Sequence, residues 1–442
     1  MVRKIRARIS AWIGDASLKR LVKNASLLFG AETVVTLIGA VQFPLVTRLL
    51  GVESYGTWGI VAGWVGLIGQ IIAFRLWETV IKYFSQFMTG EDEPRALALL
   101  KLCLLIDFIV GVVTFLVVAA SAGVAASFVL KARPDGADLI RLEAFNMLMG
   151  MSMSVWMAVL RVFDRFKVIS AYNVASAIAL FVFWMSALAL HAGVGGLILA
   201  TAIVKLCQTL ALAIMARRDL QKRFKGSWFA ADLNTLRGYG REIWVMLFSM
   251  NVDAIRKIAL GNADMVVLGW LATPAQAGIY RLAKQLASFF GRLTNPIYDT
   301  LYPEVTRLYQ AEGPARVREM VQRLMRGVIA GLVVSVVGAY AVSSWLIPFI
   351  FGPDYVPAIP VFRIVILTNV WVIGLWIPSV LLSAGRAKQL TTINIITSLA
   401  MILFLLLAVP RWGSLGAAAA QVGFYVLWLS MSYPAAKKLL AG

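Results

Sequence analysis

This chain of 442 residues has little charge for its length. Only 14% of its residues are charged, whereas 60% are hydrophobic, and the mean hydropathy is +0.81. A water-soluble fold could not hide that much apolar surface, so the composition predicts that the lipid bilayer is the solvent for most of the chain. No hydrophilic stretch is long enough to form a large soluble domain.

Residues that commonly carry out chemistry are also rare. The two cysteines, Cys103 and Cys207, fall in apolar segments, where cysteine packs as a small hydrophobic residue, so we expect neither a disulfide nor a metal pair. The single histidine, His191, lies in a predicted external turn and indicates no metal site. Because no Walker motif, zinc-ligand spacing or nucleophile beside a base is present, we predict a non-enzymatic protein without a cofactor.

Apolar segments of membrane-spanning length recur along the whole chain. A hydrocarbon core of ~30 Å requires ~20 helical residues. A β-barrel would show alternating segments of ~10 residues, which are absent, so helices must satisfy the buried backbone. The predicted fold is therefore an all-α membrane protein with about twelve transmembrane helices. We place them near residues 24–49, 55–84, 97–125, 137–162, 168–190, 195–216, 239–270, 275–303, 322–351, 357–384, 388–409 and 414–436.

The net charge of +20 mainly indicates orientation. Lysine and arginine concentrate in alternate loops, most densely in ARRDLQKRFKG after the sixth span, so both termini are predicted to be cytoplasmic. Residues 1–23 are basic and amphipathic, which favours an interfacial helix on an anionic leaflet rather than a cleavable signal peptide. Nucleic-acid binding is not expected, because the positions of the charges relative to the spans explain most of them.

The second half of the chain repeats the first. LLGVESYGTW at 49–58 matches LATPAQAGIY at 271–280, which pairs Gly56 with Gly278, 222 residues later. DRFKVISAYN at 164–173 matches GRAKQLTTIN at 385–394, and the turn at Gly193 and Gly196 matches the turn at Gly413 and Gly416. Six spans in each half make the repeats parallel, so we predict two pseudo-symmetric six-helix lobes around a central cavity. The predicted domains are the N-terminus 1–23, an N-lobe 24–216, a basic linker 217–238, a C-lobe 239–436 and the C-terminus 437–442.

Several charged residues lie too deep in the spans to be explained by topology. A charge at the bilayer centre costs ~2.5–3.5 kcal/mol on insertion scales, so each should face a cavity or a partner. In the eighth span, Arg281, Lys284, Gln285, Ser288, Arg292, Asn295 and Asp299 share one helical face, which should contact water or substrate. We predict that the cavity cations are Arg292, Lys284, Arg281, Lys205, Arg256 and Lys257, and that Gln285, Asn295 and Asp299 are polar residues of the cavity.

Four buried acids are candidates for coupling to H+ or Na+: Asp253, Asp264, Glu32 and Asp107. Each could equally be the partner of a buried cation. Asp253 and Lys257 are spaced i, i+4, so an internal ion pair that only holds the lobe together is an equal alternative for them.

Four stretches, RLLGVESYGTW, GWLATPAQAGIY, YDTLYPEVTRLY and FGPDYVPAIPVFRI, closely resemble the polysaccharide-transporter branch of the MOP superfamily, the Wzx-like oligosaccharide repeat-unit flippases. The similarity extends over nearly the whole chain. It implies a bacterial inner-membrane protein that flips an undecaprenyl-diphosphate-linked oligosaccharide to the periplasmic leaflet for O-antigen, capsule or exopolysaccharide synthesis. It also implies partners in the polysaccharide polymerase and chain-length machinery. Because the substrate is negatively charged, the membrane potential alone could bias the flip.

Two alternatives remain open at the level of sequence. A cation-coupled multidrug antiporter of the same superfamily would be expected to have an acidic rather than a cationic cavity. A non-transporting membrane assembly subunit would use its buried charges only to pair with other subunits.

Overall fold

The structure is a computed structural model that describes residues 16–131, 133–249, 259–292 and 295–441. Side-chain surroundings are described within these ranges except at 16–25, 249, 259–260, 290–292, 295–300, 303 and 441. Every regular element in these ranges is helical, which confirms the predicted all-α class.

The helices of the first half are α1 Ala16–Leu50, α2 Val52–Ile72, α3 Leu76–Thr79, α4 Ser85–Thr89, α5 Glu93–Val129, α6 Gly136–Met149, α7 Met153–Val162, α8 Phe166–Ala189 and α9 Gly193–Arg223. Those that follow are α10 Gly240–Ser249, α11 Asp264–Leu271, α12 Pro274–Arg292, α13 Asn295–Ala311, α14 Pro314–Phe351, α15 Ala358–Val365, α16 Ile377–Ser383 and α17 Ala387–Ala441. Short π-helical turns (Val80–Phe84, Ala259–Ala263) and 3-10 turns (Trp228–Ala230, Leu233–Tyr239, Pro353–Tyr355, Ile366–Gly374) complete the elements.

The membrane-spanning helices are compatible with the predicted number, because ten of the twelve predicted spans are found in apolar helical segments. Nine helical segments of the described residues are long and apolar enough to cross a membrane. The last, Ala387–Leu440, contains both predicted spans 388–409 and 414–436, because Gly413 is non-helical (φ 52°, ψ −125°) and separates them. Part of the predicted seventh and eighth spans lies outside the described residues. The protein is an all-α membrane protein with about twelve transmembrane helices.

Three predicted spans are less regular than the sequence indicated. The span predicted at 55–84 is interrupted between Ile72 and Leu76, where Arg75 pairs with Glu78. The span predicted at 137–162 divides into α6 and α7, because Ser152 adopts a left-handed conformation (φ 65°). The span predicted at 357–384 contains a 3-10 segment between two short helices. Hydropathy averages over many residues and does not detect such single-residue breaks.

The described chain forms two compact units. The first unit comprises the described residues of Met1–Val46, Ala73–Leu116 and Ala144–Asn251. The second comprises those of Thr47–Ile72, Val117–Glu143 and Val252–Gly442. Helix α2, from the first half of the sequence, therefore belongs to the same unit as most of the second half. The predicted domain bounds remain a prediction, although α9 continues to Arg223, which lies inside the predicted linker 217–238.

The backbone repeats at the offsets that the sequence indicated. In three pairs of residues, each 220 to 222 positions apart, both members have a positive φ at the end or start of a helix. They are Glu91 and Gly313 (φ 54° and 83°), Asp164 and Gly385 (59° and 73°), and Gly193 and Gly413 (60° and 52°). Because non-glycine residues rarely adopt positive φ, this agreement supports a structural repeat and not only a shared composition.

Candidate functional site

Helix α12 carries the candidate site and starts where local chemistry favours a helix. The Thr273 hydroxyl accepts a hydrogen bond from the backbone N–H of Gln276 (3.3 Å), and Pro274 occupies the first helical position, where its missing N–H costs nothing. The polar face of α12 predicted from the sequence begins two turns further on, at Arg281. Within the second unit, α12 packs along α2.

The crossing of α12 and α2 depends on two glycines that the sequence repeat had paired. A Cβ atom built on Gly56 would lie 1.7 Å from the carbonyl oxygen of Pro274, and one built on Gly278 would lie 2.1 Å from that of Val52. The two contacts are reciprocal, since each glycine meets the carbonyl four residues before the other. The helix backbones therefore touch, and only glycine fits at either position.

Arg281 lies one turn after this crossing and is held by aromatic rings. Its guanidinium carbon is 4.4 Å from the ring centre of Tyr55 and 4.1 Å from that of Trp58, and one of its nitrogens donates to the Tyr55 carbonyl at 3.0 Å. These distances fit cation–π contacts. No carboxylate among the described residues pairs with Arg281. The crossing therefore carries a positive charge that no carboxylate of the described residues offsets.

Lys284, one turn further along α12, is paired with an acid. Its ammonium donates to Oδ2 of Asp264, which is completely buried, and lies 3.2 Å from the Gly261 carbonyl oxygen. The Tyr280 hydroxyl donates to the same Oδ2 at 2.6 Å and also lies 3.0 Å from Oε1 of Gln421. The backbone N–H of Met265 donates to the other carboxylate oxygen at 2.8 Å. Asp264 thus accepts three hydrogen bonds in a space that excludes water.

This network, which we name the Asp264 cluster, consists of Asp264, Lys284, Tyr280 and Gln421. Because the lysine and the aspartate offset each other, the cluster adds no net charge to the site, and Arg281 supplies the positive charge beside it. A buried carboxylate paired with a lysine side chain is a candidate for exchanging that partner for a proton or another cation. Among the described residues, no group of three or more His, Cys, Asp or Glu side chains could hold a metal ion.

Asp107 and Lys205, two of the candidates in the first unit, lie beside the break between α6 and α7. Oδ2 of Asp107 accepts from the backbone N–H of Ser152 (3.1 Å) and from the Ser154 hydroxyl (3.4 Å). A negative charge at a helix N-terminus is stabilising, so Asp107 caps α7. The stem of the half-buried Lys205 passes Gly150 in the same break, where a Cβ atom would lie 3.4 Å from its Cδ.

The other predicted site residues are placed as follows. Gln285 is half-buried on α12, and Glu32 is exposed on α1. Asp253, Arg256 and Lys257 lie outside the described residues. The backbone of Arg292, Asn295 and Asp299 is helical, but their side chains lie outside the described residues. Their roles stay predictions.

Four residues of the site were not among the predicted site residues, namely Tyr55, Trp58, Tyr280 and Gln421. An aromatic residue follows each repeated glycine by two positions, Trp58 after Gly56 and Tyr280 after Gly278. The sequence therefore contained a signal for Tyr280, but it was interpreted only as a mark of the repeat. Nothing in the sequence distinguishes Gln421 from other polar residues in the last span.

Comparison with known proteins identifies the family of this chain. Residues 45–360 match the model of a family described as polysaccharide biosynthesis protein. The chain is 21% identical over 355 residues to the inner membrane protein YghQ of Escherichia coli (strain K12), with 79% of this chain and 98% of that protein covered.

Solved structures show the same fold. The inward closed conformation of the lipid II flippase MurJ aligns with a TM-score of 0.69 at 11% identity and covers 94% of this chain and 87% of that one. An inward-facing multidrug resistance MATE transporter of the MOP superfamily aligns with a TM-score of 0.66 at 12% identity and covers 94% of each chain. At these identities the likeness shows the fold and leaves the substrate open.

Proposed function

Because the chain belongs to the polysaccharide biosynthesis protein family and has the fold of MOP transporters, we propose that it flips an oligosaccharide carried on undecaprenyl diphosphate. In this proposal the substrate moves from the cytoplasmic to the periplasmic leaflet of the inner membrane. The observation that supports an anionic substrate best is the Arg281 guanidinium, which has no carboxylate partner among the described residues.

A diphosphate is well matched to such a site. Arginine presents several N–H groups in a fixed plane, which suits the oxygens of a phosphate and gives charge-assisted hydrogen bonds about twice as strong as neutral ones. We propose Arg292 and Lys205 as further cations of the substrate path, with Arg256 and Lys257. Lys284, which is neutralised by Asp264, is the exception: in this proposal it takes part in ion coupling, and Asp264 is the coupling acid.

The membrane potential would help drive the outward flip. Moving negative charge outward across an inside-negative membrane is favoured by ~2.3 kcal/mol per charge per 100 mV. Exchange of a proton or sodium ion at the Asp264 cluster would add to this bias. The polyprenyl chain would stay in the lipid while the head group crosses.

The decisive experiment is a lipid-linked oligosaccharide profile of a strain that lacks this protein. The proposal predicts loss of a surface polysaccharide and accumulation of its lipid-linked repeat unit in the cytoplasmic leaflet. Drug sensitivity without such accumulation would favour the multidrug antiporter instead. Loss of polymer without accumulation on either leaflet would favour an assembly subunit.

The Arg281→Gln variant tests the site within this function. Loss of a charge-assisted hydrogen bond worth about 1.5–3 kcal/mol predicts a roughly 10- to 100-fold slower flip. The matched control is Arg307→Gln, which removes an arginine paired with Glu304 on an exposed surface and should leave polysaccharide levels unchanged. Normal polysaccharide production by Arg281→Gln would contradict the proposed role of Arg281.

The glycine crossing supplies a test of movement. We propose that α2 and α12 close together at this crossing in one state of the transport cycle and separate in the other. Gly56→Ala would prevent the closure, because its methyl group would overlap the Pro274 carbonyl oxygen. Gly39→Ala is the matched control, since nothing lies within 4 Å of a Cβ atom at that position. Equal transport by the two variants would remove the crossing from the mechanism.

A further inference from the structure

The two repeats have an arginine at the same position, but the two arginines have different surroundings. In the first unit, Arg165 follows the left-handed residue Asp164 and precedes α8. Its Nε donates to Oδ2 of Asp219 at 2.7 Å, and a terminal nitrogen donates to Oδ1, so the pair is bidentate. Asp219 lies in the last turns of α9 and is buried. The charge of Arg165 is thus paired with a carboxylate of the protein itself.

Its counterpart in the second repeat has lost that partner. Arg386 follows the left-handed Gly385 and precedes α17, as Arg165 precedes α8. The offset of 220 residues that relates Gly193 to Gly413 places Leu439 at the position of Asp219. No carboxylate among the described residues bonds to Arg386. The second repeat therefore has a leucine, Leu439, at the position where the first repeat has the acid that pairs with Arg165.

A cavity opens at this position. It has a volume of about 360 Å³ and is lined by Arg386, Gln389, Pro434, Ala435, Lys438 and Leu439. The volume lies in the range of ~300–1,000 Å³ typical of small-molecule sites. Among the described residues, two cations and one amide form its polar wall, three apolar residues form the rest, and no acid contributes.

We propose that this cavity binds the phosphate group of a membrane lipid head group. Arg386 would hold two phosphate oxygens with its planar N–H groups, as Arg165 holds the two oxygens of Asp219, and Lys438 would add a second charge. The apolar wall suits the glycerol or prenyl part next to the phosphate. In the predicted orientation this end of the second unit is cytoplasmic, where basic pockets between transmembrane helices bind anionic head groups. The proposal goes beyond the proposed function, because it holds whether or not the bound lipid is transported.

Two lipids present this chemistry, the anionic phospholipids of the bilayer and a polyprenyl diphosphate. Native mass spectrometry of the full-length protein, released from neutral-lipid nanodiscs and titrated with phosphatidylglycerol or undecaprenyl diphosphate, separates them. Inorganic phosphate serves as a third probe, for the head group alone. We expect saturable binding of at least one lipid, and the lipid that binds identifies the source. Binding no stronger than that of diacylglycerol, which has no phosphate group, would overturn the proposal.

The variants compare charges inside and outside the cavity. Arg386→Gln with Lys438→Gln should weaken lipid binding by about tenfold or more, the loss expected for one or more charge-assisted hydrogen bonds. The matched control removes two lysines that do not line the cavity, Lys388→Gln with Lys437→Gln, and should bind as the parent does. Equal losses in both double variants would show that lipid binding depends only on overall charge and that the cavity is not the binding site.

Leu439→Asp is the sharper variant, because it rebuilds the ion pair of the first repeat in the second. We expect Arg386 to bond to the new carboxylate, so that the variant folds with at least the parent's thermal stability and loses lipid binding about tenfold or more. A stable Leu439→Asp protein that binds lipid as tightly as the parent would contradict the inference. Should Leu439→Asp misfold, the glutamine pair above still decides the question.

Discussion

Asp107 in the first unit and Asp264 in the second are both acids within apolar helices, yet they are satisfied in different ways. Asp107 accepts hydrogen bonds from a backbone N–H and a serine hydroxyl at the start of α7. Asp264 accepts from a lysine, a tyrosine and its neighbour's N–H while fully buried. One acid serves a helix end, and the other serves a network of side chains.

The difference indicates which acid is suited to ion exchange. Both donors of Asp107, the Ser152 N–H and the Ser154 hydroxyl, belong to the start of α7, and neither carries a charge. The main donor of Asp264 is a flexible ammonium on a neighbouring helix, which can move away when another cation arrives. The proposed coupling role of Asp264 therefore rests on its pairing with the Lys284 ammonium and not on its burial alone.

The largest expected effect comes from removing the cation of the Asp264 cluster. Lys284→Met leaves a carboxylate with no exposed surface without its counter-charge, which typically costs about 3–5 kcal/mol. The variant should therefore unfold at clearly lower temperature or denaturant concentration in detergent, and its transport should lose dependence on the coupling ion. Circular dichroism of the purified protein during thermal unfolding measures the first effect.

Two comparisons control this prediction. Lys437→Met removes an exposed lysine that forms no ion pair with the described residues and should leave the unfolding transition unchanged. The double variant Asp264→Leu with Lys284→Met removes both charges and should recover part of the lost stability, since replacing a whole buried pair by apolar residues is often close to neutral. Additive losses in the double variant would mean that the two residues do not act as a pair.

The sequence predicted the class of fold and the internal repeat because each of these features depends on many residues along the chain. Twelve apolar segments and three repeated anchors do not depend on any single contact. It also placed Arg281, Lys284 and Gln285 on one helix face, because a polar face in an apolar helix follows directly from the 3.6-residue period.

The sequence could not indicate how those charges are satisfied. Whether Lys284 meets substrate or Asp264 depends on how α11 and α12 pack, which no local pattern encodes. The same limit applies to Gly56 and Gly278, which the repeat paired as equivalent positions. That equivalent positions also touch is a property of the three-dimensional repeat. The helix breaks near Ser152 and Arg75 were missed because one residue barely changes a hydropathy average.

An intermediate effect is expected from Tyr280→Phe, which sharpens the contrast by removing a donor while keeping the ion pair. Asp264 would retain Lys284 and the Met265 N–H but lose the tyrosine hydroxyl at 2.6 Å. We expect a loss of roughly 1–2 kcal/mol in the free energy of unfolding, because one hydrogen bond to a charged group in a membrane helix bundle is modest. Equilibrium unfolding in mixed micelles measures it. Tyr433→Phe, which removes a hydroxyl from an exposed tyrosine, is the control and should be neutral.

The smallest effect tests the comparison most directly, because the same substitution is made at both acids. In Asp107→Asn the amide oxygen can still accept from the Ser152 N–H, so only the interaction of the charge with the helix N-terminus is lost, about 0.3–1 kcal/mol. In Asp264→Asn the lysine loses its counter-charge, so the loss of stability should be several times larger and ion-dependent transport should disappear. Transport assayed across a range of sodium concentrations and pH values distinguishes the two. If Asp107→Asn abolishes ion dependence while Asp264→Asn retains it, the assignment of coupling to the second unit is wrong, and Asp107 is the acid that exchanges the coupling ion.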